Sequence, residues 1–356
     1  MKVKSSLILI CLVLFVFSCT GVFAQTSLPE EQGSLIDLVD KFRTNIIPRD
    51  SGKYVVATEV ELKSFGSTFS LLLEWMNVGS GDKLSNAASN LADQKYILTK
   101  FTDTTAGRVF YLAREASDYN RGWGMYILYT KGNGVYRNLL IEVPHIGFDL
   151  EAEKIGIRSF IQSSAGFFLL AGAHRDANSG SIADVAHTQT CVFQVVHKTL
   201  CTNTSTTIQI HGFAETAAGR QSYPQIILSS GAATGSQALT TMSTQLTQNG
   251  FTVGIFDGTK YTDLGATENV QGIYTRSIGA TFIHMEIARL VRDSSELRDK
   301  VAKSIESYAT QSVIEVPEFS TSELMILAVI FVSWILVEAH KASNTRKRTL
   351  IRKQSE

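Results

Sequence analysis

Residues 138–145 are Asn-Leu-Leu-Ile-Glu-Val-Pro-His, and residues 207–213 are Thr-Ile-Gln-Ile-His-Gly-Phe. Each stretch is a short apolar run that predicts a β-strand, and each carries a histidine at the end of that strand or directly after it. Similar apolar runs alternate with longer helical stretches over the rest of the region. Further strands are predicted at 167–172, 225–229 and 280–287, and helices at 150–163, 187–199, 235–248 and 292–309. Buried strands that alternate with helices favour a three-layer α/β fold with a mostly parallel or mixed central sheet.

The region before residue 94 has a different pattern. It is predicted to be helical at 34–46 and 68–93, with a Gly-Ser-Gly interruption at 79–81, and we assign residues 25–93 to an N-terminal extension of helical and β structure. Strands predicted at 108–113 and 122–130 then open the α/β domain. We place that domain at residues 94–310 and a linker at 311–323.

The two ends of the chain carry targeting patterns. Residues 1–24 combine Lys2 and Lys4, an apolar stretch and small residues before Gln25, which predicts a secretory signal peptide. Residues 324–337 are apolar apart from Ser333, and the tail at 338–356 carries six basic residues. This pattern predicts a transmembrane segment followed by a basic cytoplasmic tail. The expected localisation is therefore an exported protein anchored at the cell surface.

The apolar segment is short, and this leaves its role open. Fourteen residues rise about 21 Å as a helix, less than the roughly 30 Å hydrocarbon core of a membrane. Just before the segment, Val-Pro-Glu-Phe-Ser at 316–320 resembles the Pro-Glu-Phe tails that archaeal sorting systems recognise and remove. A sorting enzyme is therefore one candidate partner, and a permanent single-span anchor is the alternative.

Charge and cysteine content limit the partners and the compartment. Outside the predicted signal and tail the chain has 25 basic and 31 acidic residues, a net charge of −6 that argues against a nucleic-acid partner. Cys11 and Cys19 lie in the signal, which leaves Cys191 and Cys201. In an oxidising exterior these two are predicted to form a disulfide, with free thiols or metal ligands as the alternatives.

Polar side chains follow several of the predicted strands. His145 with Asp149, the cluster His174-Arg175-Asp176, and His211 all come at or just after a strand, and ligand crevices in such sheets open at the carboxyl ends of the strands. Glu286 lies inside the apolar run at 280–287, where an unpaired carboxylate would be costly to bury. Three metal ligands and one spare carboxylate are the minimum set for a hydrolytic zinc site.

Simpler roles remain open for the same residues. Asp149 could cap the following helix, the histidines could form hydrogen bonds in turns, and Glu286 could pair with Arg289 or Arg276. Four more residues could either contact substrate or form hydrogen bonds to the outer nitrogens of the metal ligands: His174, Asp176, Asp184 and His187. The sequence does not separate these roles.

Five short motifs carry a resemblance to a known superfamily. They are Glu142-Val-Pro-His145 with Asp149, Ala171-Gly-Ala-His-Arg-Asp176, Ala183-Asp-Val-Ala-His187, His211-Gly-Phe213 and His284-Met-Glu-Ile-Ala-Arg289. In this order they resemble the zinc-carboxypeptidase-like amidohydrolases, which include N-formylglutamate amidohydrolases and poly-γ-glutamate hydrolases. The similarity covers about residues 94–309.

The resemblance implies a mixed-sheet α/β fold with one zinc ion. By position, His145, Asp149 and His211 would be its ligands and Glu286 the general base. Independently of the resemblance, Arg175, Arg289 and His174 are predicted to bind substrate. Carboxypeptidases place the acidic ligand three residues after the first histidine, whereas Asp149 lies four residues after His145, so Glu151 is a second choice.

We therefore predict an exported, membrane-tethered, zinc-dependent hydrolase. Its substrate would be an amide bond in a peptide, a γ-glutamyl chain or a cell-envelope conjugate. The alternative is a catalytically inactive envelope-binding protein on the same fold.

Overall fold

The computed structural model describes residues 27–132 and 135–314. Within them, ten strands form one sheet in the order β1-β2-β3-β4-β6-β5-β7-β10-β8-β9. The strands are β1 Glu30–Gly33, β2 Tyr96–Asp103, β3 Arg108–Glu115, β4 Met125–Leu128, β5 Arg137–Val143, β6 Ala165–Leu170, β7 Thr206–Phe213, β8 Ile226–Ser229, β9 Val253–Ile255 and β10 Thr281–Ala288. The α-helices are α1 Leu35–Arg43, α2 Glu59–Val78, α3 Gly81–Asp93, α4 Ala152–Ser163, α5 Val192–Leu200, α6 Gln237–Gln248, α7 Val270–Ser277, α8 Arg289–Asp293 and α9 Ser295–Ile314.

The sheet is mixed. Its centre is parallel, because β5 pairs in parallel with both β6 and β7, and β7 pairs in parallel with β10. On either side the pairing is antiparallel, between β4 and β6 and between β10 and β8. The predicted α/β fold with a mixed central sheet is therefore confirmed. The apolar runs at 138–143 and 207–211 form adjacent strands, so the histidines that follow them lie at one end of the sheet.

Two groups of helices cover the sheet. In one group α4 packs against β5, β6, α1 and α9, and α6 packs against α9. In the other, α5 packs against β6, α2 and α7. The strand residues between the groups are almost entirely buried, as in β6, where all six residues are inaccessible to solvent. This is the three-layer arrangement expected for strands without alternating polar positions.

The N-terminal extension is built into the same core. β1 adds a parallel strand to β2, and the buried ring of Phe65 on α2 makes edge contacts with Tyr96 and Trp123. The helical region predicted at 68–93 is two helices. α2 begins earlier, at a capping box in which Thr58 and Glu61 bond reciprocally, and ends at Gly79, whose φ of 71° suits a left-handed C-cap.

Several boundaries and elements differ from the sequence prediction. α5 begins at Val192 rather than 187, because Cys191 caps it and the preceding residues are held in turns around Asp184. β1, β2, β9 and α7 were not predicted. β9 is only three residues long, and α7 carries too few apolar residues for its periodicity to stand out.

The predicted disulfide between Cys191 and Cys201 is wrong. Both cysteines are free and buried, and they lie at opposite ends of α5. Positions ten residues apart across a helix are separated by about 15 Å, whereas a disulfide needs Cα atoms within about 7 Å. Burial raises the pKa of the Cys191 thiol to about 12, so this thiol is protonated and unreactive at neutral pH.

The predicted localisation at the cell surface through a C-terminal anchor needs correction. Across residues 27–132 and 135–314, none of the helices combines the length and the apolar character that crossing a membrane requires. The segments assigned from sequence to the signal peptide, the Pro-Glu-Phe motif, the membrane span and the basic tail lie outside the described residues.

Candidate metal centre

The first two candidate ligands lie in a tight turn after β5. The backbone N–H groups of Phe148 and Asp149 both donate to the carbonyl of His145, at 3.1 and 2.9 Å. Gly147 makes this turn possible, because its φ is 78° and a Cβ there would lie 2.8 Å from the Ile46 side chain. The turn brings the side chains of His145 and Asp149 to the same side of the chain.

His211 in β7 completes a triangle with them. The distance between the Nδ1 atoms of His145 and His211 is 3.1 Å, and Asp149 Oδ2 lies 3.3 Å from the first and 3.2 Å from the second. Three ligands of a tetrahedral zinc ion, bound at about 2.0–2.1 Å, are separated from one another by roughly 3.3 Å. Despite these short distances, Asp149 Oδ2 has no well-aligned hydrogen bond. The three atoms therefore have the spacing of metal ligands.

The outer nitrogens of both rings face acceptors. His145 Nε2 lies 3.0 Å from Asp184 Oδ1, and His211 Nε2 lies 2.8 Å from Gln209 Oε1. Assigned from these partners, the ring proton sits on Nε2 in each neutral histidine, so both Nδ1 atoms present lone pairs to Asp149. Two lone pairs and a carboxylate oxygen repel one another unless a positive charge lies among them.

Without a metal, a proton on His145 supplies that charge. Burial alone would lower the pKa of His145, but the hydrogen bonds and charges of Asp149 and Asp184 outweigh it and raise the pKa to about 9. Burial and the nearby His145 charge lower the pKa of His211 to about 4. Burial opposes ionisation of Asp149, yet the two histidines hold the pKa of its carboxyl well below its usual range. The triangle thus carries one positive charge, which a proton on His145 supplies in the absence of a metal.

Glu286 and His284 lie beside this triangle on one face of β10. Metal-binding atoms of His211, His284 and Glu286 lie within 4.8 Å of one another. His284 Nε2 is 3.6 Å from Glu286 Oε1, while His284 Nδ1 and Glu286 Oε2 are buried without hydrogen-bond partners. Burial and the charge of Asp149 raise the pKa of Glu286 to about 8. Buried polar atoms without partners mark a place for a ligand or water.

Asp184 and Arg175 hold the triangle from the other side. Asp184 Oδ2 forms an ion pair with Arg175 and lies 3.1 Å from His187 Nδ1. The Arg175 guanidinium also lies 3.5 Å from His145 Nδ1 and 5.0 Å from the centre of the Phe148 ring. Burial alone would raise the pKa of Asp184, but its hydrogen bonds to His145 and His187 hold that pKa far below its usual range.

A cavity of about 550 Å³ opens onto these groups. One wall is the segment 262–269, which is tied down because Asp263 accepts from Arg220 at 2.7 Å and from the Tyr223 hydroxyl at 2.8 Å. The cavity lining includes the three triangle residues, His284 and Glu286, together with Phe148, Arg175, His187, Gly212 and Arg220. The triangle, Glu286 and two arginines therefore share one cavity.

Three residues considered from sequence lie elsewhere. Arg289 pairs with Asp293, and His174 accepts from the backbone N–H of Asp176 at 3.0 Å; among the described residues neither lines the cavity. Glu151, the second choice for the acidic ligand, pairs with Lys154 at 2.7 Å. The structure therefore brings His145, Asp149, His211, Glu286 and Arg175 together but places Arg289, His174 and Glu151 outside the cavity.

Gln209, Asn269, His284 and Arg220 were not predicted from the sequence as site residues. Gln209 and His284 are register partners across β7 and β10, and Glu286 is the partner of His211. A signal was present, because Gln209 with His211, and His284 with Glu286, are polar residues two positions apart in apolar strands, which places each pair on one face. Arg220 lies in a polar loop where nothing in the sequence distinguishes it.

The chain was also compared with known proteins. No protein-family model and no curated protein matches it. N-formylglutamate amidohydrolase from Ralstonia eutropha JMP134 aligns with 51% of this chain and 94% of its own at 10% identity and a TM-score of 0.33. A metallo-carboxypeptidase from Burkholderia cenocepacia aligns with 66% and 70% at 10% identity and a TM-score of 0.35. A putative carboxypeptidase A from Shewanella denitrificans OS-217 aligns with 66% and 69% at 12% identity and a TM-score of 0.34. With TM-scores this low, the function proposed below rests on the geometry of the site.

Proposed function

We propose that this protein is a zinc-dependent hydrolase that cleaves amide bonds. The observation that carries the proposal is the triangle of His145 Nδ1, Asp149 Oδ2 and His211 Nδ1, whose sides are 3.1–3.3 Å. Imidazole nitrogen and carboxylate oxygen are ligands that zinc prefers, and two histidines with one carboxylate leave a fourth position open, as catalytic zinc sites do. The outer partners Asp184 and Gln209 fix the ring orientation that ligation needs.

Glu286 is suited to move the proton. A bound zinc ion supplies Lewis acidity, which polarises a carbonyl and lowers the pKa of water toward about 7. The Glu286 carboxylate accepts a proton from the attacking water and delivers it to the leaving nitrogen. In the metal-free protein its pKa of about 8 keeps this carboxyl mostly protonated at neutral pH. The Glu286 carboxylate, the form that a base requires, would be favoured beside a divalent cation.

Two arginines at the cavity support a negatively charged substrate. Arg175 lies close enough to His145 to donate to an oxygen that becomes negative during the reaction. Arg220, held through its Nε by Asp263, presents its guanidinium to the cavity, where a carboxylate can be bound in bidentate fashion. We infer that the substrate is a carboxylate-bearing amide, such as a peptide, a γ-glutamyl chain or a cell-envelope conjugate.

The test combines metal content with hydrolysis. The purified protein, loaded with Zn²⁺ and dialysed, should retain one zinc ion per chain by mass spectrometry. It should hydrolyse at least one member of a panel of N-acyl amino acids, peptides and poly-γ-glutamate. Glu286→Gln should retain the zinc and lose about 10²–10⁴-fold in kcat. Glu296→Gln, a change on the exposed surface of α9, is the matched control and should keep wild-type activity.

Two results would contradict the proposal. A protein that retains no zinc under these conditions lacks the centre, and a Glu286→Gln variant with wild-type kcat removes the assigned base. Zinc binding without hydrolysis of any compound in the panel would favour the catalytically inactive binding protein instead.

A further inference from the structure

A buried network of side-chain amides lies behind His211. Gln209 and Gln271 are completely buried, and Glu142 and Asn269 are at most 2% exposed. These residues come from β5, from β7 and from the start of α7, so distant parts of the chain meet here. The network contacts His211 through Gln209 Oε1, which lies 2.8 Å from His211 Nε2.

We propose that Gln209 is a positioning residue that fixes the tautomer of His211, and that Glu142, Gln271 and Asn269 fix the orientation of Gln209. The inference rests on the proposed zinc centre, because the tautomer decides whether His211 Nδ1 can bind a metal. A ring that carries its proton on Nε2 leaves a lone pair on Nδ1, and the opposite tautomer blocks that nitrogen with a proton.

The nitrogen end of the Gln209 amide faces acceptors. Gln209 Nε2 donates to Glu142 Oε2 at 3.0 Å and to Gln271 Oε1 at 3.2 Å. Gln271 cannot reverse, because its own Nε2 donates to the backbone carbonyl of Val185 at 2.9 Å and to Gln194 Oε1 at 2.8 Å. Both protons of the Gln209 amide are therefore directed away from His211.

The oxygen end faces donors. Gln209 Oε1 accepts from Asn269 Nδ2 at 2.5 Å as well as lying against His211 Nε2. Asn269 cannot reverse either, because its Oδ1 accepts from the backbone N–H of Gly272 at 2.8 Å, as the N-cap of α7. A flipped Gln209 would place its oxygen against the Glu142 carboxylate and its amide protons against those of Asn269.

The network is thus anchored at both ends by backbone groups whose hydrogen-bonding roles cannot change. The Val185 carbonyl only accepts and the Gly272 N–H only donates, so the direction of every bond between them is determined. At the end of this series of hydrogen bonds, His211 Nε2 faces an acceptor and therefore carries the ring proton. In the other tautomer the Nε2 lone pair would face Gln209 Oε1, an acceptor on a completely buried side chain.

The experiment reads the tautomer directly. In metal-free wild-type protein at pH 7, ¹⁵N correlation spectra of the imidazole rings should show a protonated Nε2 and an unprotonated Nδ1 for His211. Gln209→Met removes the acceptor and keeps a side chain of similar length. It should shift His211 toward the Nδ1-protonated tautomer and raise the Kd for Zn²⁺ about 10- to 100-fold.

Thr275→Val is the matched control. It breaks the 3.1 Å contact of Thr275 with His197 Nε2 at the far side of Glu142 but leaves the contacts of Gln209 intact. It should change neither the His211 spectrum nor the Kd for Zn²⁺ by more than about 2-fold.

The proposal is overturned if wild-type His211 carries its proton on Nδ1, a measurement that does not depend on whether Gln209→Met folds. It is also overturned if the folded Gln209→Met protein keeps the wild-type tautomer and Kd. Because the tautomer is measured without metal or substrate, these outcomes are distinct from a failure to hydrolyse amides.

Discussion

Zinc binding should displace protons from two groups of the candidate centre. The pKa of His145 is about 9 in the metal-free protein, so at pH 7 its Nδ1 carries a proton in nearly every molecule. That proton must leave before Nδ1 can act as a ligand. His211 has a pKa of about 4 and has no proton to lose at pH 7. The ligands alone should therefore release about one proton per zinc ion.

Glu286 should contribute most of a second proton. Its pKa is about 8 without metal, so roughly nine molecules in ten carry the proton at pH 7. A neighbouring dication would lower this pKa and favour loss of the proton. The expected total is about two protons per zinc ion. Both pKa values lie above neutrality, so the apparent affinity for Zn²⁺ rises with pH and levels off above about pH 9.

Isothermal titration calorimetry in buffers with different ionisation enthalpies counts these protons. Wild-type protein should release about two at pH 7, and Glu286→Gln should release about one, because the proton from His145 remains. A wild-type release below about half a proton would show that His145 is already neutral before metal binds. That result would refute the electrostatic account of the triangle.

Two further predictions concern stability. Gly212→Ala should destabilise the protein by at least about 3 kcal/mol, as measured by urea denaturation, because the new Cβ would lie 2.3 Å from the buried Arg292 guanidinium. This guanidinium donates to the carbonyls of Ile287 and Phe213 at 3.0 and 3.1 Å. Phe65→Ala should cost about 3–5 kcal/mol and shift a single calorimetric transition, because its completely buried ring ties α2 to the sheet.

Controls sharpen both stability predictions. Gly235→Ala places a Cβ in open space and should change the free energy of unfolding by no more than about 0.5 kcal/mol. Val60 on α2 is 78% exposed, and Val60→Ala should be similarly mild. A Gly212→Ala protein as stable as the Gly235→Ala control would show that Arg292 moves aside freely. A separate early transition in Phe65→Ala would show that the N-terminal extension unfolds independently.

The sequence was informative where one physical signal dominated. Short, mainly apolar runs identified β5, β7 and β10, and the rule that ligands gather at the carboxyl ends of strands brought His145 and His211 together in advance. Asp149 was predicted because a loop can bring ligands four residues apart onto one ion, and the structure shows that Gly147 provides the turn.

What the sequence could not supply was the order of strands. Glu142, Gln209 and His284 form one row only because β7 lies between β5 and β10, and Gln209 pairs in register with both of the others. Separations of 67 and 75 positions in the chain give no hint of this contact. The predicted disulfide was wrong for a related reason, since the helix between Cys191 and Cys201 holds apart residues that are only ten positions apart in the sequence.

The position of β10 has a consequence for biosynthesis. The strand that carries Glu286 is the last of the described strands in chain order, yet it lies between β7 and β8. Until the ribosome has released residue 288, both of those neighbours lack a partner along one side, and such open edges recruit other chains. Premature termination upstream of this strand would therefore yield a product that is prone to aggregation and also lacks Glu286. A nascent polypeptide therefore brings His284 and Glu286 to the candidate metal centre only when β10 inserts between β7 and β8.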